Sequence, residues 1–171
     1  MQAARWRARV ITCSDSAFSG TRLDRSGPAT REILEKAGFE VDGVVVVADR
    51  LEDISAAIVT AVDQDSLNLI VTTGGTGIAR SDVTPEATDS VTQRKIPGFG
   101  ELMRARSLSS TPMAALSRAQ ASIRGSALIV NLPGSVSGAV ENLEAVLGLL
   151  DHALELLSND RVDSHPQGKT G

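Results

Sequence analysis

Short apolar runs rich in β-branched residues alternate along this chain with longer segments in which apolar residues recur at helical spacing. The runs with the length and composition of buried strands are 9–13, 41–47, 67–73 and 126–132. The last helical segment repeats apolar residues at steps of three and four: Val140, Leu143, Leu147, Leu150, Leu154 and Leu157. Helices between strands are the crossovers that parallel strands require. The alternation therefore predicts an α/β fold of three layers, in which helices flank a mostly parallel, doubly wound sheet.

Prolines and the change in composition near the C-terminus indicate boundaries. Pro28 suits the first position of a helix, and Thr84 with Pro85 suits the N-cap and first position of another. We expect one domain over residues 1–158, a length that suits a single core, and a polar tail over 159–171.

Composition excludes several classes of function. A net charge of −4 and an aromatic content of 2% argue against a nucleic-acid partner. Cys13 is the only cysteine, so the chain cannot build a disulfide or a cysteine zinc cluster. The apolar run before Ser14 reads as a strand rather than a signal peptide, and no run is long enough to span a membrane. We expect a cytoplasmic protein with small-molecule substrates and no membrane partner.

Polar or glycine-rich loops follow three of the predicted strands. The first contains Ser14 and Asp15. The second begins with Thr73, Gly74, Gly75, Thr76 and Gly77, and the third contains Asn131, Pro133, Gly134 and Ser135. The ends of parallel strands share one edge of a sheet, where ligands of such folds bind. Glycine amides at that edge can bind an anion, and the alternative is a tight turn that needs positive φ.

The glycine-rich loop matches neither standard nucleotide motif. A P-loop would end in Gly-Lys-Ser or Gly-Lys-Thr, which is missing here. A dinucleotide fingerprint would need a third glycine at the position of Arg80. The loop therefore predicts a different kind of anion site.

Two aspartates stand at the same predicted edge. Asp49 follows a strand and precedes Glu52 by three residues, so its structural alternative is a helix N-cap. Asp82 precedes Thr84, and its alternative is an acceptor for loop amides. Two carboxylates beside an anion loop are what a magnesium nucleotide requires, because Mg²⁺ takes one or two carboxylates together with phosphate oxygens.

Four segments carry a specific resemblance to a known family. They are CSDS with DRSGP early in the chain, LIVTTGGTGIARSDVTPEAT at 69–88, PGFGELMRARSL at 97–108 and LSRAQASIRGSALIVNLPGS at 116–135. Together they resemble the molybdopterin adenylyltransferase family of the Mog and MoaB type, over about residues 8–157.

The resemblance implies a usually trimeric α/β enzyme of molybdenum-cofactor synthesis. The implied reaction joins molybdopterin to AMP from Mg-ATP and releases pyrophosphate. The family's essential aspartates fall on Asp49 and Asp82, which would place Mg-ATP. Its phosphate and pterin contacts fall on the Thr73 to Gly77 loop, on Ser107 and on the Asn131, Pro133, Gly134 and Ser135 turn, with Ser14 and Asp15 lining the pocket. The molybdenum-insertion enzyme of the same pathway is an expected partner.

Two departures from the family pattern bear on ligand binding. Asp49 stands in Ala-Asp-Arg where many relatives have Pro-Asp-Glu, and Val136-Ser137 replaces a common Pro-Lys or Pro-Arg. The missing positive charge could come from other basic residues: Arg80, Lys95, Arg104, Arg118 or Arg124.

Two other functions remain open from the sequence. One is a molybdopterin-binding homologue that acts as a carrier or scaffold, against which the retention of both aspartates weighs. The other is the related domain that accompanies nicotinamide-nucleotide deamidases, for which a second catalytic domain would be needed.

Overall fold

The computed structural model describes residues 5–159 and places their strands in one sheet. The strands are β1 (Arg7–Cys13), β2 (Glu40–Val47), β3 (Leu69–Thr73), β4 (Arg94–Lys95), β5 (Gln120–Arg124) and β6 (Ala127–Leu132). The α-helices are α1 (Asp15–Phe18), α2 (Ser26–Lys36), α3 (Leu51–Val59), α4 (Thr84–Asp89), α5 (Pro97–Leu108) and α6 (Val136–Ser158). A π-helical turn at Thr60–Gln64 extends α3, and a short 3₁₀ helix spans Pro112–Leu116.

The order of the strands creates a crevice at one end of the sheet. The sheet runs β2-β1-β3-β6-β5-β4, with β1, β2, β3 and β6 parallel. From β1 the chain moves outward to β2 and then returns to the other side for β3, so the order reverses between β1 and β3. Crossovers that diverge in this way leave a crevice outside the carboxyl ends of those strands.

Helices cover both faces of the sheet, which explains the continuous apolar runs within the parallel strands. Val10, Val71 and Val130 face one core cluster with residues of α2, α5 and α6. Their neighbours Ile11, Ile70 and Ile129 face the other cluster, which contains residues of α3 and α4. Successive strand side chains point to opposite faces, and burial of both faces gives continuous apolar runs. The predicted α/β fold is confirmed.

The strands beyond β6 were not predicted. β5 and β4 extend the sheet in antiparallel fashion, and the run predicted to begin at Ser126 begins at Ala127. Ser126 instead belongs to the two-residue turn between β5 and β6, in which Gly125 has a φ of 55°. Alternating Ala121 and Ile123 before a Gly-Ser pair is the signal that could have identified this hairpin.

Two expected helix starts also differ. The helix expected to begin at Pro28 begins at Ser26, because the carboxylate of Asp24 accepts a hydrogen bond from the Gly27 amide (3.1 Å) and supports an earlier first turn. Thr84 is not the N-cap of α4. Its hydroxyl donates to the carbonyl of Gly74 (2.9 Å) and ties that helix to the glycine-rich loop.

The last helix, α6, ends at Ser158, and residues 160–171 of the expected tail lie outside the described residues. Between residues 5 and 159, no helix is long and apolar enough to cross a membrane.

Gly125 and Gly148 form a matched pair for testing the hairpin. An added Cβ has open space at both positions, but only Gly125 has positive φ. We expect Gly125→Ala to lower the free energy of unfolding by about 1–2 kcal/mol. Gly148→Ala, inside α6, should raise it by about 0.5–1 kcal/mol through helix propensity. Urea denaturation of both variants measures the two effects, and equal stabilities would contradict a strained turn at Gly125.

Candidate active site

A cavity of about 660 Å³ opens in the crevice between β1 and β3. Gly74 and Gly75 form part of its wall with φ values of 96° and 67°. A Cβ on Gly74 would lie 2.2 Å from the carbonyl oxygen of Cys13, so the two loops touch through their backbones. The glycine-rich loop therefore does form a tight turn with positive φ, as the alternative interpretation predicts. The same turn exposes backbone groups to the cavity.

Two helices begin at this cavity. Ser26 at the start of α2 and Ser135 at the N-cap of α6 both line it, and Ser135 accepts a hydrogen bond from the amide of Gly138 (3.1 Å). The first turns of helices carry unpaired amides and partial positive charge, which favour a bound anion. Three backbone features thus favour negative charge at one place: the glycine turn and the two helix starts.

Hydroxyl groups and one carboxylate form another part of the cavity lining. Thr12 donates to the carboxylate of Asp24 (2.8 Å), and the hydroxyls of Ser26 and Thr73 lie 2.9 Å apart. Of these residues, the sequence predicts only Thr73 as a site residue. Asp24 and Ser26 belong to the DRSGP segment, which was noticed only as part of the family resemblance.

Asp15 and Asp49 join two loops by a reciprocal pair of hydrogen bonds. The amide of Asp15 donates to the carboxylate of Asp49 (2.9 Å), and the amide of Asp49 donates to the carboxylate of Asp15 (2.9 Å). The capping alternative for Asp49 is wrong, because Arg50 occupies the N-cap of α3. Burial raises the pKa of Asp49, and the nearby charges of Asp15 and Asp82 raise it further, although the Asp15 amide opposes this shift.

Asp82 does accept a loop amide, as its structural alternative predicted. Its Oδ2 accepts from the amide of Ala79 (2.9 Å). Arg118 holds the same loop, since its guanidinium donates to the carbonyls of Gly77 (2.8 Å) and Asp82 (2.6 Å). The charge of Asp82 raises the pKa of Asp49, so the two carboxylates lie within electrostatic reach of each other. Amide binding and ligand binding by Asp82 are compatible.

A second cavity of about 690 Å³ lies between α5 and α6. Ser135 lines both cavities, so they meet at the turn before α6. In the second cavity, the Ser107 hydroxyl donates to Glu141 (2.9 Å) and accepts from the Asn142 amide (2.8 Å). Hydrogen bonds from Ser110 and Ser107 lower the pKa of Glu141. Ser107 therefore supports a carboxylate here, rather than presenting its proton to a phosphate.

The structure divides the expected site residues into separate groups. The first cavity is lined by Ser14, Thr73, Gly74, Gly75, Gly134 and Ser135, and the second by Ser107, Pro133 and Ser135. Asp15 is the first residue of α1, and the loops after β2 and β3 carry Asp49, Thr76, Gly77 and Asp82.

Asn131 differs from all of these because its side chain is fully buried. Its amide donates to the hydroxyls of Thr72 (2.9 Å) and Thr88 (3.0 Å). These bonds hold β6 to β3 and α4. This corrects the expectation that the Asn131 side chain contacts a ligand.

The basic residues suggested as replacements for the missing positive charge are mostly engaged elsewhere. Lys95 pairs with Asp89, Arg118 with Glu86 and Arg124 with Asp63. Arg104 lines the second cavity and donates to backbone carbonyls, while Arg80 is exposed. The arginines that line the first cavity are Arg22 and Arg25, which the sequence reasoning missed.

The acidic residues suit a divalent cation that arrives with phosphate. Among residues 5–159, no group of three or more His, Cys, Asp or Glu side chains is arranged to hold a metal by itself. Asp49 and Asp82 are nevertheless close enough for one to raise the pKa of the other. A cation between carboxylates and phosphate oxygens would relieve that repulsion, and Mg²⁺ commonly binds in this way.

The fold and the paired cavities define an α/β protein with a cavity that favours anions at the switch point of its sheet. Residues 9–152 match the family model described as a probable molybdopterin binding domain. The chain therefore belongs to this molybdopterin-binding family.

Similar proteins agree with this assignment. The molybdopterin adenylyltransferase of Helicobacter pylori is 42% identical over 153 residues, which cover 86% of this chain and 85% of that protein. The molybdopterin adenylyltransferase of Escherichia coli K12 is 44% identical over 143 residues, covering 82% and 73%. The crystal structure of the molybdopterin biosynthesis enzyme MoaB from Thermus thermophilus has a TM-score of 0.85 and 48% identity, covering 90% and 96%.

The raised pKa of Asp49 predicts that its charge destabilises the fold. The folded protein holds this proton more tightly than the unfolded chain, so stability is lost as the pH rises through the raised pKa. Asp49→Asn keeps an oxygen for the Asp15 amide and removes the charge. We expect the variant to melt above the wild type at pH 7, and the difference to disappear below the usual aspartate pKa of about 3.9. Thermal melting across this pH range measures the effect, and a lower melting temperature at pH 7 would contradict it.

Proposed function

We propose that this protein transfers AMP from ATP to molybdopterin, as a nucleotidyltransferase of molybdenum-cofactor synthesis. The observation that carries the proposal is the meeting of two chemically different cavities at Ser135, next to the glycine turn. A Cβ on Gly134 would lie 3.1 Å from Gly74 Cα, and a Cβ on Gly75 would lie 3.4 Å from Asp49 Oδ1. Family membership and the names of the relatives, which are 42% and 44% identical, support the same reaction.

The lining of each cavity favours a different substrate. The first offers backbone amides and helix starts, which suit the phosphates of ATP. The second combines Met113, Val140 and Pro133 with the Glu141 carboxylate and the Asn142 amide. An apolar wall with a few polar groups suits a flat heterocycle that both donates and accepts hydrogen bonds, such as a pterin. We assign the nucleotide to the first cavity and molybdopterin to the second.

The chemistry at the junction requires positioning more than proton transfer. An oxygen of the molybdopterin phosphate attacks the α-phosphorus of ATP, the bond from that phosphorus to the bridging oxygen breaks, and its electron pair leaves with pyrophosphate. The attacking oxygen is already anionic, so the barrier lies in bringing anions together. Mg²⁺ would be held by Asp49 and Asp82 and would supply counter-charge to the phosphates. The Gly74 to Gly77 turn, Ser14 and Ser135 bind and orient the phosphates, and Asp15 fixes Asp49 through the reciprocal bonds.

A carrier or scaffold function would need the pterin cavity but not the acidic pair. The relatives named molybdopterin adenylyltransferase and the presence of both aspartates favour the enzyme.

Asp82→Asn tests the reaction most directly. The asparagine retains an oxygen for the Ala79 amide, so the free energy of unfolding should change by about 1 kcal/mol or less. The adenylylation rate should fall by about a hundredfold or more, or roughly 3 kcal/mol of transition-state stabilisation. Pyrophosphate release with molybdopterin, ATP and Mg²⁺ measures the rate, and chelation of Mg²⁺ should stop the wild type. A variant with a near-normal rate and a lower melting temperature would leave Asp82 with a structural role only.

The assembly proposed for this protein is a homotrimer in the cytoplasm, which passes its product to the molybdenum-insertion enzyme of the pathway. The predicted apolar stripe of α6 is largely satisfied within the chain, since Leu143, Leu150 and Leu154 are buried. Leu149 and Leu156 of the same helix are 46% and 53% exposed and lie seven residues apart on another face. This second face is available for contact between subunits.

Sedimentation at micromolar concentration should therefore give three times the 17.9 kDa mass of the chain. Leu149→Glu should shift the protein toward monomer, because a charge would be buried in the subunit contact. Leu51→Glu is the matched control, since Leu51 is 38% exposed on α3, across the sheet from α6. A monomeric wild type would contradict the assembly.

A further inference from the structure

The segment between α1 and α2 places two arginines on the wall of the first cavity. Arg22 and Arg25 line it together with the glycine turn and the start of α6. We propose that Arg22 and Arg25 bind the β- and γ-phosphates of ATP and hold the pyrophosphate as it leaves. This inference rests on the proposed function. The two arginines would supply the positive charge that the family pattern places after Ser135 and that this chain lacks there.

The two side chains are exposed and available to a ligand. Among residues 5–159, no hydrogen bond or ion pair of either guanidinium to another side chain or backbone group is found. By contrast, Arg31 on α2 pairs with Glu35 and Arg50 before α3 pairs with Asp53. Arg22 and Arg25 thus differ from Arg31 and Arg50, because neither has a protein partner among residues 5–159.

The acid between them does not cancel their charge toward a ligand. Among residues 5–159, Asp24 is the only acidic residue that lines the cavity. One of its carboxylate oxygens accepts from Thr12 and the other from the Gly27 amide, so it is turned toward β1 and the start of α2. The charges left facing the cavity are positive, in a chain whose net charge is −4.

The acids and the arginines reach the cavity from different segments, which is why the arginines suit the distal phosphates. Gly75 lines the cavity, and a Cβ placed on it would be 3.4 Å from Asp49 Oδ1. Asp49 thus lies beside the glycine turn, whereas Arg22 and Arg25 lie on the part of the wall formed by the segment between α1 and α2. A phosphate chain across the turn can meet a cation held by the acids at one point and guanidinium groups at another.

Arginine is well matched to this task. Its planar guanidinium binds phosphate oxygens in a bidentate manner. When the bond between the α-phosphorus and the bridging oxygen breaks, the electron pair moves onto pyrophosphate and increases its negative charge. Donors already placed at that group stabilise the transition state more than the ground state.

The helix that follows Ser135 has no basic residue in its first turn, which reads Val136-Ser137-Gly138. Arg25 is the N-cap of α2, the other helix that begins at this cavity, and Arg22 precedes it in the same segment. The positive charge at the cavity therefore lies in the segment before α2 rather than in the first turn of α6.

The test compares ligands with and without the β- and γ-phosphates, together with pyrophosphate alone. An ATP analogue with a methylene group between the α- and β-phosphorus, AMP and inorganic pyrophosphate are titrated with Mg²⁺ into the full chain by calorimetry. For the variant carrying both Arg22→Gln and Arg25→Gln, we expect the Kd of the ATP analogue and of pyrophosphate to rise by about tenfold to a hundredfold, since hydrogen bonds to charged groups are lost. The Kd of AMP should stay within about twofold. Arg31→Gln on α2 is the control and should alter neither.

The outcomes separate this inference from the function on which it rests. If the wild type binds the ATP analogue and the double variant binds it equally well, the assignment of the two arginines is overturned and the proposed function stands. If AMP and the analogue weaken equally while the melting temperature is unchanged, the arginines act on the nucleoside, and the pyrophosphate assignment is likewise overturned. If the wild type binds no adenine nucleotide and releases no pyrophosphate with molybdopterin, the proposed function itself fails.

Discussion

The close contact between the backbones of β1 and β3 determines the arrangement of the site. Gly74 lies so near the Cys13 carbonyl that no side chain fits between them. Both strands therefore end at the same level, at the point where the order of the sheet reverses. The loops that leave them diverge, and the space between becomes the first cavity.

Charge is distributed unequally around this cavity, and this distribution lowers the free energy of unfolding. Asp49 is held beside Asp15 and Asp82, where burial and repulsion raise its pKa. Arg22 and Arg25 remain exposed with no such compensation from the acids. A protein selected only for stability would pair these groups with each other. Their separation is typical of a site at which the ligand completes the electrostatic balance.

The sequence was sufficient for features that depend on the local pattern of residues. β1, β2, β3 and β6 follow from apolar runs, and the shared edge of Ser14, Gly74 and Ser135 follows from parallel topology. The acidic pair could be predicted because Asp49 follows the end of a strand and Asp82 lies in the loop that begins with the glycine-rich segment. The antiparallel strand β5 was not predicted because only Ala121 and Ile123 of its five residues are apolar, too few to form an apolar run like those of the parallel strands.

Features that depend on tertiary contacts could not be predicted from the local pattern of residues. Nothing in the local sequence distinguishes Asn131, whose amide reaches Thr72 and Thr88, from a residue that faces a ligand. Ser107 is close to Glu141 and Asn142 only because α5 packs against α6. Arg22 and Arg25 reach the cavity through the turn that precedes α2. In each case the partner lies on another element, and its position is set by packing.

The position of Ser135 on both cavities has a thermodynamic consequence. The residue caps α6 through the Gly138 amide, so the first turn of that helix is part of both walls. A molecule in either cavity restricts the motion of this turn, and the second molecule then meets a turn that is already ordered. Less conformational entropy is lost in the second step, which favours positive cooperativity between the two substrates without any change of fold.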